Sequence, residues 1–224
     1  MEGKYIIRWY SMELRAARDG DVDNWKEVIL IYSSALKMIS TKLEVLNDEF
    51  HHVHRYNPIE HIKSRIKTSE SIVKKLKKHG YESTIQNMVE HVNDIAGIRV
   101  ICSFASDIYQ IAEILSKQSD IKVISIKDYI TNPKPSGYRS YHMLVTVPVY
   151  LSDRIVDTKV EIQIRTVAMD FWASLEHKIN YKFEGNVPVY IRNELIECSK
   201  MVSELDKRML SLNEEVQMFS KKEE

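Results

Sequence analysis

Residues 159–165 read Lys159-Val160-Glu161-Ile162-Gln163-Ile164-Arg165, an unbroken alternation of apolar and polar side chains. Successive side chains of a strand point to opposite faces, so Val160, Ile162 and Ile164 turn towards a core. Glu161, Gln163 and Arg165 then share the other face, placing a carboxylate, an amide and a guanidinium side by side. Taken alone, the segment fits a half-exposed antiparallel strand with a solvated polar face equally well.

Working outward, three further segments are rich in Val, Ile and aromatic residues and predict strands: Gly97–Phe104, Ile121–Ile126 and Tyr141–Val149. Helices are predicted over Asp107–Gln118 and Ala168–Tyr181. Pro58 opens a predicted helix with the apolar face Ile59, Ile62, Ile66, Val73 and Leu76, ending at Lys78-His79-Gly80. Two long seams flank this middle. Trp25, Ile29, Tyr32, Leu36, Ile39, Leu43, Leu46 and Phe50 advance in steps of four and three, with Asp23 or Asn24 as cap. Ile191, Leu195, Cys198, Val202, Leu205, Met209, Leu212, Val216 and Phe219 repeat the spacing after Pro188. The expected fold is α+β: a mixed, mostly antiparallel four- or five-stranded sheet with helices on it and long helices at both ends. The expected divisions are 1–56, 57–185 and 186–224, the two seams packing within the subunit and its oligomer.

Composition restricts the function. The chain has 224 residues, with 32 Lys+Arg balancing 32 Asp+Glu, which argues against a nucleic-acid partner held by global charge. Cys102 and Cys198 are too few for a disulfide framework or a Cys-rich zinc site. The opening MEGKYIIRWYSMELR lacks the continuous apolar core of a signal peptide, and no stretch approaches a membrane span. The expectation is a protein of the reducing cytoplasm.

Four other segments carry candidate chemistry. Asp94-Ile95-Ala96-Gly97-Ile98-Arg99 puts a carboxylate before a strand, small residues where a ligand can approach, and a guanidinium upon it. Were this strand beside that of Glu161, Asp94 and Glu161 could share a divalent cation. Between His61 and Tyr81 there are seven basic residues and one acidic residue, and Lys67, Ser71, Lys74 and Lys78 have the spacing of a cationic helix stripe suited to a triphosphate. In Lys127–His142, prolines stiffen the chain, Gly137 permits an unusual backbone angle, and Lys134, Tyr138, Arg139 and His142 offer cations and a stacking surface. Asp170, Glu176 or His177, and Asn180 recur at helical spacing, with Phe171 and Trp172 read as core. His51-His52-Val53-His54 reads as an exposed cluster and Cys102 as a buried thiol. No phosphate-binding loop or dinucleotide fingerprint occurs.

Together SRIK at 64–67, DIAGIR at 94–99, KDYI…PKPSGYRSYH at 127–142, VEIQIRT at 160–166 and EHKINYK at 176–182 resemble the synthetase domain of RelA/SpoT-type alarmone enzymes. The likeness runs from about Asn57 to Gly185 and is closer to the stand-alone small alarmone synthetases of the RelP and RelQ kind. It implies transfer of the β,γ-pyrophosphate of ATP to the 3′-hydroxyl of GDP or GTP, with release of AMP. It further implies that Arg65 and Arg99 sandwich adenine, and that Lys67, Ser71 and Lys75 meet ATP phosphates. Asp94 and Glu161 would hold Mg²⁺, with Glu161 also activating the acceptor hydroxyl. Tyr138 would stack on guanine, Lys134, Arg139 and His142 would secure phosphates or the loop, and Gln163 and Arg165 would order the site. Asp170 stands where some relatives have Asn and is expected to read guanine; Asn180 is placed on the same nucleotide. A homotetramer assembled through the terminal helices is implied as well. The absence of a His-Asp dipeptide, with 56 residues before Asn57, implies synthesis without hydrolysis. The segment Glu60-His61-Ile62-Lys63 lacks the aromatic residue of relatives activated by pppGpp, which implies no strong activation here.

Two other readings compete. A non-catalytic nucleotide- or RNA-binding module would reuse the basic segment and Tyr138 but would have lost a metal carboxylate. A nucleotidyltransferase moving a nucleoside monophosphate would show a Gly-Ser motif followed by paired acidic residues on one strand, which this sequence lacks.

Overall fold

The computed structural model describes residues 21–183 and 186–220. The opening MEGKYIIRWYSMELR lies outside the described residues, and Asp23 and Asn24, expected to cap the first helix, lie within it, since it already includes Asp21. Five strands form one mixed sheet in the order β1-β2-β5-β4-β3: β1 (Ile59–Ile66), β2 (Ala96–Cys102), β3 (Lys122–Asp128), β4 (Tyr141–Tyr150) and β5 (Ile155–Thr166). Only the β2–β5 pair is parallel. The α+β class with a mostly antiparallel sheet is the one expected.

The alternation of apolar and polar side chains holds along β5. Val160, Ile162 and Ile164 are fully buried, and Lys159, Glu161 and Gln163 stand half-buried on the opposite face. Helix α1 (Asp21–Val53) joins this core through Ile31, Tyr32, Ala35, Ile39 and Leu43. Its seam is therefore spent inside the subunit, where burying each large aliphatic side chain contributes roughly 1.5–3 kcal/mol. Helices α4 (Ala105–Ser116) and α5 (Val167–Lys182) fall within two residues of their expected bounds. Helix α6 (Val189–Ser220) divides its seam: Leu195, Cys198 and Val202 are half-buried, while Leu205, Met209, Leu212 and Val216 are exposed.

One expected element is wrong. Residues 59–66 form strand β1, and the helix, α2 (Ser69–Lys78), starts only after the Thr68 cap. The cause is a bulge: Ile59 faces Cys102 and His61 faces Ile101, so one extra residue enters β1. That residue turns a strand step of two into three, placing Ile59, Ile62 and Ile66 on one face at the spacing of a helix. Lys67 accordingly lies outside α2, and the stripe expected over Lys67, Ser71, Lys74 and Lys78 does not exist as one helical face. A short helix α3 (Ile85–His91) follows, which the sequence had not suggested. Phe171, expected in the core, is 60% exposed, whereas Trp172 is buried and donates Nε1–H to the Leu195 carbonyl at 2.9 Å.

Candidate active site

The register lines up chemistry in two rows across the polar face. Gly97 lies opposite Arg65 on β1 and opposite Glu161 on β5; Arg99 lies opposite Lys63 and Gln163, and Gln163 opposite His142. Because Gly97 has no side chain, a gap separates Arg65 from Glu161. A Cβ there would approach nothing closer than 4.0 Å, so the gap is open space rather than tight packing. Arg65 and Arg99, two residues apart in sheet register, border it. Burial foremost, then the charge of Arg165, pulls the Arg99 pKa below its ordinary value, and Arg65 adds to this. Arg99 Nε is buried and finds no partner among the described residues.

Of the two candidate metal carboxylates, Glu161 lies on β5 and Asp94 just before the neighbouring strand β2, near enough for their charges to interact. Asp94 precedes β2 and accepts from Lys67 Nζ at 2.8 Å and Lys75 Nζ at 2.7 Å. Burial opposes its ionisation, yet these two ammoniums hold its carboxyl below the usual range. Thr68 caps α2 by accepting from the Ser71 amide and donates its hydroxyl to Ser71 Oγ at 3.0 Å. Lys67, Ser71 and Lys75 thus gather where the start of α2 meets Asp94, although not on one helix stripe. Free N–H groups and a positive dipole end at such a start favour anions.

Glu161 lines a cavity of about 200 Å³ together with Asn93, Lys127, Lys134 and His142. It belongs to a closed polar ring. Gln163 Nε2 donates to Glu161 Oε2 at 2.8 Å, and Arg165 Nη2 donates to Gln163 Oε1 at 2.9 Å. Arg165 Nη2 also donates to the Tyr138 hydroxyl, which lies 2.9 Å from His142 Nε2; His142 Nδ1 lies 3.6 Å from Glu161 Oε1. Donors and acceptors alternate round the ring when the imidazole proton sits on Nδ1. Burial again opposes the charge of Glu161, but His142 and Gln163 outweigh it and lower the pKa, even against the nearby Asp94 charge. Both carboxylates therefore stay ionised, Glu161 lining the cavity and Asp94 paired with two lysines, close enough for its charge to act on Glu161. That donor set fits Mg²⁺, which takes carboxylate oxygens and completes its shell with water and phosphate. Among the described residues no cluster of three or more His, Cys, Asp or Glu forms a metal cage, and the exposed His51, His52 and His54 make none.

The 127–142 segment builds the other wall. Gly137 has φ +90°, and a Cβ on it would stand 2.7 Å from Ser199 Cβ of α6. Lys134 Nζ lies 4.6 Å from the Tyr129 ring centre and 4.7 Å from that of Tyr138, a cation–π clamp. Arg139 Nη1 donates to the Ile130 carbonyl at 2.8 Å and thereby pins the loop rather than facing the cleft.

Two expected nucleotide contacts are engaged elsewhere. Asp170 Oδ1 accepts from Arg99 Nη1 at 3.0 Å and Arg165 Nη1 at 3.2 Å, so this oxygen braces two guanidiniums instead of facing a base. Asn180 Nδ2 donates to Glu176 Oε1 along α5. Three supporting residues were not singled out from the sequence. Lys159, on the Glu161 face of β5, donates to the carbonyls of Val89 (3.1 Å) and Glu90 (3.2 Å) and to Asn93 Oδ1 (3.2 Å), just before Asp94. The alternation that selected Glu161 also includes Lys159, so that signal was present. Ser199 donates Oγ–H to the Gly137 carbonyl at 2.5 Å, and Asp206 accepts from Thr166 Oγ1 at 2.7 Å; both contacts join distant segments, and no local pattern marks them.

Residues 64–186 match the family model described as a region found in RelA / SpoT proteins. The chain is 48% identical over 195 residues to the GTP pyrophosphokinase YwaC of Bacillus subtilis, covering 87% of this chain and 93% of that protein. It is 36% identical over 197 residues to the GTP pyrophosphokinase YjbM of the same organism, covering 88% and 92%. Among solved structures it resembles the small alarmone synthetase 2 of B. subtilis, with TM-score 0.78, 46% identity and coverage of 86% of this chain and 99% of that one. It also resembles the small alarmone synthetase 1 of B. subtilis bound to its product pppGpp, with TM-score 0.81, 36% identity and coverage of 87% and 98%.

Proposed function

The chain belongs to the RelA/SpoT family, and from that premise we propose that it transfers the β,γ-pyrophosphate of ATP to the 3′-hydroxyl of GDP or GTP, making ppGpp or pppGpp and releasing AMP. The observation that carries this reading is the sheet register, which sets Glu161 beside side-chain-free Gly97, with arginines on one side and the Tyr138 loop on the other. A donor purine fits between Arg65 and Arg99. The triphosphate then runs to Lys67, Ser71 and Lys75, drawing the ammoniums from Asp94. The guanosine nucleotide enters from the Tyr138 side, its base taking the position of Lys134 over that ring while Lys134, Arg139 and His142 support phosphates or loop. Gln163 and Arg165 hold Glu161 in line.

Asp94 and Glu161 are the residues that would hold Mg²⁺, whose charge would offset that of the phosphates in transfer. The acceptor oxygen forms a bond to the β-phosphorus as the bond from that phosphorus to the α-phosphate oxygen breaks. The hydroxyl proton passes to the Glu161 carboxylate, which its lowered pKa keeps in the ionised form. Such a transfer needs alignment and charge compensation rather than a covalent protein nucleophile. With GDP, Mg²⁺ and γ-labelled ATP, label enters ppGpp. Glu161→Gln reduces this by about 10²–10⁴-fold, the usual span for loss of a general base. Undiminished turnover would remove Glu161 from the role.

The ion pairs of Asp170 support a bracing role there in place of guanine reading. The sequence holds no His-Asp dipeptide, so the purified chain should leave ppGpp intact with or without Mn²⁺. Leu205, Met209, Leu212 and Val216, exposed on α6, support assembly through that helix into a homotetramer, which light scattering after size exclusion would test. No described helix is long and apolar enough to cross a membrane. The free thiols of Cys102 and Cys198, together with the proposed nucleotide substrates, suit a cytoplasmic setting.

A further inference from the structure

Arg165 is a hub with every guanidinium nitrogen engaged. Its side chain is 5% exposed, with Nε on Ser140 Oγ (3.2 Å), Nη1 on Asp170, and Nη2 shared by Gln163 and the Tyr138 hydroxyl. Through Gln163 and Tyr138 it belongs to the acceptor side. Arg99 borders the donor gap and has a buried, unpartnered Nε. These two guanidiniums repel each other, and one carboxylate oxygen, Asp170 Oδ1, lies between them. Asp170 is itself mostly buried, its side chain 15% exposed, so solvent screens the arrangement poorly.

We propose that Asp170 is a positioning residue that couples the two nucleotide sites, so that filling the acceptor site raises affinity at the donor site. The inference rests on the pyrophosphotransferase reading and on the placement of Arg99 and Tyr138 within it. A guanosine nucleotide that orders Tyr138 orders Arg165, and with it the carboxylate that orients Arg99. The adenosine nucleotide then binds an arginine already fixed in place and loses less freedom on binding. Charge is essential here. An asparagine preserves the shape and one acceptor oxygen, but it cannot offset two guanidiniums.

The test is isothermal titration of α,β-methylene-ATP, in which the bond that must break is replaced, with and without saturating GDP in Mg²⁺ buffer. For the unaltered protein GDP should tighten the analogue by about tenfold, within the usual span of allosteric couplings. By linkage the analogue should tighten GDP by the same factor. Asp170→Asn should bring both factors to within about twofold of unity, and Asp170→Glu, which keeps the carboxylate, should retain a larger factor than Asp170→Asn. A merely structural role would weaken each nucleotide alone and leave the ratio unchanged. Full coupling in a folded Asp170→Asn protein overturns the proposal. So does binding of both nucleotides to the unaltered protein without mutual effect, a result that leaves the pyrophosphotransferase reading standing. Failure of the unaltered protein to bind either nucleotide overturns that reading and the inference together.

Discussion

Gly97 stands directly opposite Glu161 in the parallel pairing of β2 with β5, and the next step along the same face sets Arg99 opposite Gln163. In this parallel register the start of β2 lies level with the middle of β5. Asp94, three residues before Gly97, is thereby brought to the edge of the cleft into which Glu161 projects. The pair of carboxylates is thus a product of strand order, and the glycine between them keeps the floor of the cleft clear.

Gly97→Val tests that floor. The site has ordinary strand geometry, and the nearest atoms to an added Cβ, Arg65 Cγ and the Arg65 carbonyl oxygen, stand at 4.0 Å, so a β-branched residue suits the backbone. Melting temperature should stay within a few degrees, while kcat/KM falls at least about a hundredfold through lost alignment of the reactants. An active Gly97→Val enzyme would mean that the nucleotides do not cross this strand.

Gly137→Ala tests the acceptor loop. The added Cβ meets Ser199 Cβ at 2.7 Å at a φ of +90°, so strain and clash coincide. A residue held in such a conformation costs of order 1–3 kcal/mol. Urea denaturation should show that loss, and KM for GDP should rise several-fold with KM for ATP little changed. A uniform loss on both substrates would argue that α6 supports the whole domain rather than the loop.

Lys159→Met keeps the length of the side chain and removes its three hydrogen bonds to Val89, Glu90 and Asn93. Unsatisfied carbonyls at the end of α3 should cost about 1–3 kcal/mol. Since the freed segment leads into Asp94, kcat should fall more than either KM changes, and Lys159→Arg should recover part of it. Destabilisation with unaltered kcat would make Lys159 a brace alone.

Asp206 gives a pH signature. Burial raises its pKa above the ordinary aspartate value, only partly countered by the Thr166 hydroxyl. An acid whose pKa is raised in the fold favours the folded state below its ordinary pKa. That benefit disappears as pH climbs from the ordinary pKa through the raised one. Asp206→Asn can still accept from Thr166, whose own Oγ caps α5 by accepting from the Met169 amide. The variant should therefore gain melting temperature over the unaltered protein at about pH 7 and lose that advantage near about pH 4. A constant difference between the two would contradict this account.

The periodicities were legible wherever burial is one-sided. Strand β5 and the α1 seam could be read because one face of each is in the core and the other is not, which imposes a period of 2.0 or 3.6 on the residues themselves. The residue types of the site were legible for a related reason: carboxylates, arginines and a glycine clustered in short ordered segments are costly to keep unless used. Strand β1 was not, because it is an edge strand with one bulge, and a single inserted residue makes its apolar spacing imitate a helix. Nor could any local pattern say that Asp170 lies between Arg99 and Arg165, or that Ser199 and Asp206 reach the loop and β5 from a helix 40 or more residues away. Those contacts depend on which strands are neighbours and where α6 docks. Such choices are made by packing the whole core, since each alternative placement would bury the same local seams against different partners.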